Sequence, residues 1–218
     1  PALIKALLNT LRVATIAAMI TVFAGVVMVY GVRLARSETP KRLLPITSIG
    51  YAAPGAVLGV GILIPLAWFD NRLADGIWEL TGHDIGLILT GTSAAIIYAY
   101  CVRFFAIAQG AADAAMGRVS PNLANAARSL GRNRLQTLKE VYFPLMSGSV
   151  GSALLLVFVD CVKELPATLL LRPFNYNTLA TLVHEQASLE NLSQAAPASL
   201  YIICVGLLAV LFLAKTNK

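Results

Sequence analysis

The chain has 218 residues, 57% of them hydrophobic and only 13% charged, a balance more apolar than a water-soluble domain of this size sustains. Its net charge of +6 is interleaved with apolar runs of hydrocarbon length, which argues against a nucleic-acid surface and for membrane orientation. Cys101, Cys161 and Cys204 lie in or beside those runs, without CxxC spacing or neighbouring histidines, and read as packing residues.

The chain starts at Pro1 without an initiator methionine or a signal-peptide pattern, so a fragment of a longer protein is expected. Five apolar segments qualify as membrane spans, near residues 11–30, 46–69, 85–105, 145–159 and 198–214 of one domain covering 1–218. All five are predicted to be α-helices, because a backbone in lipid must satisfy its own hydrogen bonds and a barrel would show short alternating strands instead. The connection after the first span carries Arg33, Arg36, Lys41 and Arg42, and the long one after the third carries Arg118, Arg128, Arg132, Arg134 and Lys139. With Lys215 and Lys218 at the end of the chain, these positions predict the cytoplasmic side. Asp70, Asp75, Glu79 and Asp84 against Arg72, and Glu164, Glu185 and Glu190 against Lys163 and Arg172, predict the outer side. The N-terminus is therefore expected outside and the C-terminus in the cytoplasm.

In the second span Gly55 and Gly59 form a small-xxx-small pair, and Pro54 and Pro65 interrupt helical bonding. Close helix contact and a kink are expected there, read either as packing within one subunit or as part of a gate. Residues 165–171 are apolar but too short to cross, which suits a re-entrant or surface segment, and residues 178–196 have the spacing of a short amphipathic helix over the outer mouth.

Residues 108–144 form a long connection that is neither low in complexity nor Gly/Ser-rich, and it reads as folded. Ser120-Pro121 supplies a cap and a first-turn proline for a helix over 122–130, and Gly131 offers a stop. A second helix is predicted over 134–142, making a helix-turn-helix on the membrane surface. Two alanines and a glycine give a slim helix able to enter a groove, with Arg128, Arg132 and Arg134 at its rim.

The residues Asn125-Ala126-Ala127, then Gly131, then Val141-Tyr142-Phe143-Pro144 closely resemble the EAA loop of bacterial ABC importer permeases: Glu-Ala-Ala, three residues, Gly, nine residues, Ile, one residue, Leu-Pro. Every spacing fits; Asn125 replaces the glutamate, Val141 the isoleucine and Phe143 the leucine. The resemblance implies an all-α integral membrane protein of the MetI-like permease fold. It also implies that Asn125, Ala126, Ala127, Arg128, Gly131, Val141, Phe143 and Pro144 belong to the segment that seats in a cleft of the ATPase. Asn125 carries no charge for any ion pair the family forms there, though its amide is still able to hydrogen-bond.

The stretch from Asp160 to Phe174, with Lys163-Glu164-Leu165-Pro166-Ala167-Thr168 inside it, followed by Asn177-Thr178-Leu179-Ala180, resembles ferric-iron importer permeases. Permeases for phosphonates, thiamine, polyamines and oxyanions share part of it. Asp160 and Glu164 are four apart on one helical face at the end of the fourth span, and Lys163 lies three residues after Asp160. They read either as an ion pair at the outer interface or as carboxylates lining the entry of a hard cation such as Fe(3+). Tyr98 and Tyr100 cannot share a helical face, and His83 and His184 have no second histidine at ligand spacing.

No phosphate-binding Gly-rich loop is present in the sequence, so ATP and Mg are expected on partner ATPase subunits and the chain itself is not expected to be an enzyme. The other implied partners are a second permease module, fused upstream or a second copy, a periplasmic solute-binding protein, and the lipid of a bacterial inner membrane. A secondary transporter or channel is the rival class, and it has no use for the EAA spacing.

Overall fold

The computed structural model describes residues 2–35, 37–83 and 85–216. Arg36, Asp84 and Lys218 of the charge pattern, with Pro1 and Asn217, lie outside the described residues. The described chain is helical throughout its regular structure, and five of its helical segments are long and apolar enough to cross a bilayer.

Helix α1 (Ala2–Leu34) is longer than the expected 11–30, because Leu3, Ile4, Leu7 and Leu8 carry the apolar pattern toward the N-terminus past the single charge of Lys5. Its buried face is rich in small residues, Ala14, Ala17, Ala18, Thr21 and Gly25, interleaved with Val13 and Val22. A Cβ on Gly25 would stand 3.1 Å from the Ala108 backbone, so glycine there permits the close approach of α5 (Ser93–Gly117). The two helices run in the same direction: Cys101 lies beside the Ala17 carbonyl, and Arg33 binds Asp113 at 2.8 Å.

The apolar run 46–69 does not form one helix. Short α2 (Thr39–Leu43), a 3₁₀ turn (Leu44–Ser48) and α3 (Ile49–Ala52) end at an extended Ala53, and α4 (Gly55–Thr81) starts afresh. Pro54 enforces the break, since it lacks an N–H and disfavours a helical conformation in the residue before it. Pro65 sits inside α4 without ending it, and Gly82, at φ +68°, does end it. Asp70, Arg72, Asp75 and Glu79, expected in a connection, are therefore wound into α4.

The third span begins later than expected. Thr92 caps α5 through the Ala94 N–H, and residues before it form a loop held by a single carboxylate. Asp70, 1% exposed, accepts from the backbone N–H groups of Ile88, Leu89 and Thr90 at 3.0, 2.9 and 2.7 Å. This ties the far part of α4 to the entrance of α5.

After α6 (Pro121–Ser129) and α7 (Arg134–Thr137), a π-helical turn over Leu138–Tyr142 leads directly into α8 (Phe143–Val162). Pro144 cannot donate to the carbonyl four residues earlier, and a widened turn lies just ahead of it. The second arm of the expected helix-turn-helix is thus the beginning of the fourth span. Helix α9 (Pro166–Leu171) buries Ala167, Thr168 and Leu171 inside the bundle, so the surface alternative for this segment does not hold. Helix α10 (Leu179–Ser188) packs Leu179 and Leu182 with Ala6 and Ala198, and the last span, α11, runs over Leu192–Thr216.

Candidate functional site

Two groups of residues stand apart from ordinary packing: the α6–α7 loop at one end of the bundle and a polar node where α4, α5, α8 and α9 meet.

In the loop, the Ser120 hydroxyl accepts from the Asn122 N–H and Pro121 opens α6. Ala124 and Ala127 are buried, whereas Leu123, Asn125, Ala126, Arg128 and Leu130 are exposed. Leu123, Ala126 and Leu130 follow i, i+3, i+7 spacing, so a strip with a small centre and leucine flanks faces outward; Leu130 is 83% exposed. Gly131 adopts φ +83°, which a side chain would strain, and its N–H closes on the Arg128 carbonyl at 2.9 Å.

Asn133 and Gln136 then form a reciprocal capping box, with bonds of 2.8 and 2.9 Å. The Asn-x-x-Gln spacing was legible in the sequence as such a box. Arg132 pairs with Glu140 at 3.0 Å, and Tyr30 of α1 donates to the Arg134 carbonyl at 2.6 Å while its ring stands edge-on to Tyr142. Val141 is half-buried against the cluster around Val29, Met116 and Met146, while Phe143 and Pro144 are exposed. The EAA-like residues therefore divide: Ala127 and Val141 hold the loop to the bundle, and Asn125, Ala126, Arg128, Phe143 and Pro144 face outward.

The second group surrounds Arg103, about 15 Å along α5 from its first residue. Its guanidinium pairs with Glu164 at 3.0 Å and donates to the Ala53 carbonyl, at the helix break, at 2.9 Å. Glu164 also accepts from the Ala167 N–H, and the Tyr100 hydroxyl meets Thr168, which donates back to the Glu164 carbonyl. Glu164 is 7% exposed and Arg103 20%, so each charge is retained in apolar surroundings by its partner. A Cβ on Gly55 would fall 2.7 Å from the Glu164 carboxylate, and one on Gly59 would fall 3.0 Å from Leu170. The small pair is where α4 closes on α9.

Asp160 and Glu164 do not share a helical face, because α8 ends at Val162. Asp160 pairs with Lys163 at 2.7 Å at the end of the helix, and Glu164 turns inward to Arg103. Arg103, absent from the sequence-derived candidates, carried a signal: a lone cation within an apolar run requires a partner. Tyr100 is buried and Tyr98 exposed, on opposite sides of α5. Among the described residues no three His, Cys, Asp or Glu side chains gather closely enough to hold a metal ion.

Residues 22–215 match the family described as the binding-protein-dependent transport system inner membrane component. The chain is 26% identical over 212 residues to the Fe(3+)-transport system permease protein FbpB 2 of Haemophilus influenzae, covering 97% of this chain and 39% of that protein. It is 25% identical over 214 residues to the putative 2-aminoethylphosphonate transport system permease protein PhnV of Salmonella typhimurium, covering 98% of this chain and 74% of that protein. This chain therefore spans about two fifths of the iron-permease relative. Among solved structures, a chain of a bacterial alginate ABC transporter in complex with an alginate pentasaccharide-bound periplasmic protein superposes with a TM-score of 0.77 at 14% identity, covering 99% of this chain and 78% of that one. Helix order, loop and family match agree, and the chain belongs to the multi-pass inner-membrane permease components of binding-protein-dependent ABC importers, with their all-helical MetI-like fold.

Proposed function

We propose that this chain forms the membrane pathway for ferric iron delivered by a periplasmic binding protein, driven by a separate ATPase that docks on α6. The observation carrying the coupling role is the outward strip of Leu123, Ala126 and Leu130 within a loop whose EAA-like spacing is kept from Asn125 to Pro144. Its small centre suits insertion into a cleft, while Asn125 and Arg128 supply polar contacts at the rim. On this reading the loop faces the cytoplasm, with the N-terminus outside, and ATP with Mg stays on the ATPase. A second permease module, fused or separate, completes the pathway.

Iron is favoured by the similarity to FbpB 2 over nearly the whole chain and by Lys163-Glu164-Leu165-Pro166-Ala167-Thr168. Of the two carboxylates, Asp160 is the more accessible to a passing cation, being 21% exposed beside an exposed Lys163; Glu164 is 7% exposed, is held by Arg103 and positions the helix break. Oxygen donors are what a hard trivalent cation selects. The similarity to PhnV favours a second reading in which the solute is a phosphonate, with Lys163 as the contacting charge.

The deciding experiment is uptake of radiolabelled Fe(3+) into vesicles holding the complete transporter, its ATPase and its binding protein, with 2-aminoethylphosphonate as comparison. ATP-dependent iron uptake that falls with Asp160→Asn supports the proposal. ATP-dependent uptake of the phosphonate alone removes iron and keeps the permease.

A further inference from the structure

Along the outside of the bundle, α1 and the α7–α8 rod leave an open groove of 540 Å³. Met19, Phe23 and Val27 form one wall, and Phe143, Val150 and Leu154 line the other. Its lining is apolar except at the loop end, where Lys139 stands. Lys139 is exposed and has no hydrogen-bond or ion-pair partner among the described residues, although the neighbouring Glu140 is taken by Arg132.

From this arrangement we infer a binding site for one anionic phospholipid, with an acyl chain in the groove and the phosphate at the Lys139 ammonium. Two features select a lipid. The α1 wall from Met19 to Val27 is about 12 Å long at 1.5 Å per residue, close to the half-thickness of about 15 Å of a bilayer's hydrocarbon core. Lys139, the one cation among the described residues lining the groove, sits at the end of the spanning segment, where a headgroup lies, and attracts negative lipid electrostatically. A protein partner covering the same wall would leave that ammonium unanswered unless it brought its own acid to the membrane boundary. The headgroup belongs to the leaflet on the α6–α7 side, whichever way the chain is threaded.

The test uses the intact transporter in nanodiscs containing a phosphatidylglycerol with a photoactivatable acyl chain. Labelling is expected on the α1 and α8 segments that form the walls, displaced far better by phosphatidylglycerol than by phosphatidylcholine. Lys139→Gln should lower that headgroup preference about fivefold, the effect of one cation near the surface, and Lys139→Arg should restore it. Val150→Trp, which fills the groove, should reduce labelling with either variant background. Labelling of the groove without headgroup preference in the unaltered protein, or copy-to-copy cross-links through Phe143 in place of lipid labelling, overturns the inference.

Discussion

Replacing Glu164 by Gln tests whether the buried ion pair fastens the helix breaks together. The glutamine keeps the volume beside Gly55 and an oxygen for the Ala167 N–H, yet leaves Arg103 without its counter-charge, with the Ala53 carbonyl as hydrogen-bond acceptor and the Phe104 ring alongside. A buried charge stripped of its counter-charge costs about 3–5 kcal/mol; because Arg103 retains that carbonyl and is 20% exposed, the lower end, about 3 kcal/mol, applies. Arg103→Met combined with Glu164→Met removes both charges and should recover most of the loss, since an apolar pair of similar volume is often neutral or better. The assay is equilibrium unfolding of the purified protein in mixed micelles titrated with a denaturing detergent, read by helicity. If Glu164→Gln lies within 0.5 kcal/mol of the unaltered protein, a margin typical of surface changes, or if the double variant loses as much as the single, the pair is not what joins α5 to the α8–α9 junction.

Asp70→Ala should free the N–H groups of Ile88, Leu89 and Thr90 and cost about 2–3 kcal/mol, with hydrogen exchange at those three amides accelerating at least about tenfold; unchanged exchange refutes the staple. Ala126→Arg, on the exposed face of α6, should leave unfolding within about 0.5 kcal/mol and abolish co-purification of the ATPase, whereas retained ATPase counts against α6 as the docking element. Gly131→Val should cost about 1–2 kcal/mol through its left-handed backbone, and helicity lost from the whole bundle would show that the loop is not an independent appendage.

Much of the architecture was readable because apolar length is a one-dimensional property: a run that must bury its backbone polarity in lipid becomes a helix. Its boundaries were less readable, for identifiable reasons. Pro54 cut the second apolar run, although the same run also contains Pro65, which α4 tolerates; only the packing of Gly55 and Gly59 against α9 separates the two cases. Asp70 resembled an ordinary polar residue after a span, and its partners are backbone groups with no side-chain signature in the sequence. Spacing placed Asp160 beside Glu164, but a helix ending at Val162 turned the second carboxylate toward a cation in another span. The EAA-like spacing was visible, while the outward direction of Leu123 and Leu130 depended on which alanines the bundle covers.

Helix α7, the π-turn and α8 form one rod of 29 residues from Arg134 to Val162, about 43 Å long at 1.5 Å per residue. One end adjoins the outward strip of α6 and the other carries Asp160 beside Lys163. Such a rod behaves as a lever: each degree of tilt about its loop end sweeps the far end through about 0.8 Å, given that length. The π-turn over Leu138–Tyr142 interrupts its α-helical bonding, and Tyr30 ties the Arg134 carbonyl at its loop end to α1. The loop and the Asp160 end are thus joined by one continuous helical path about 43 Å long.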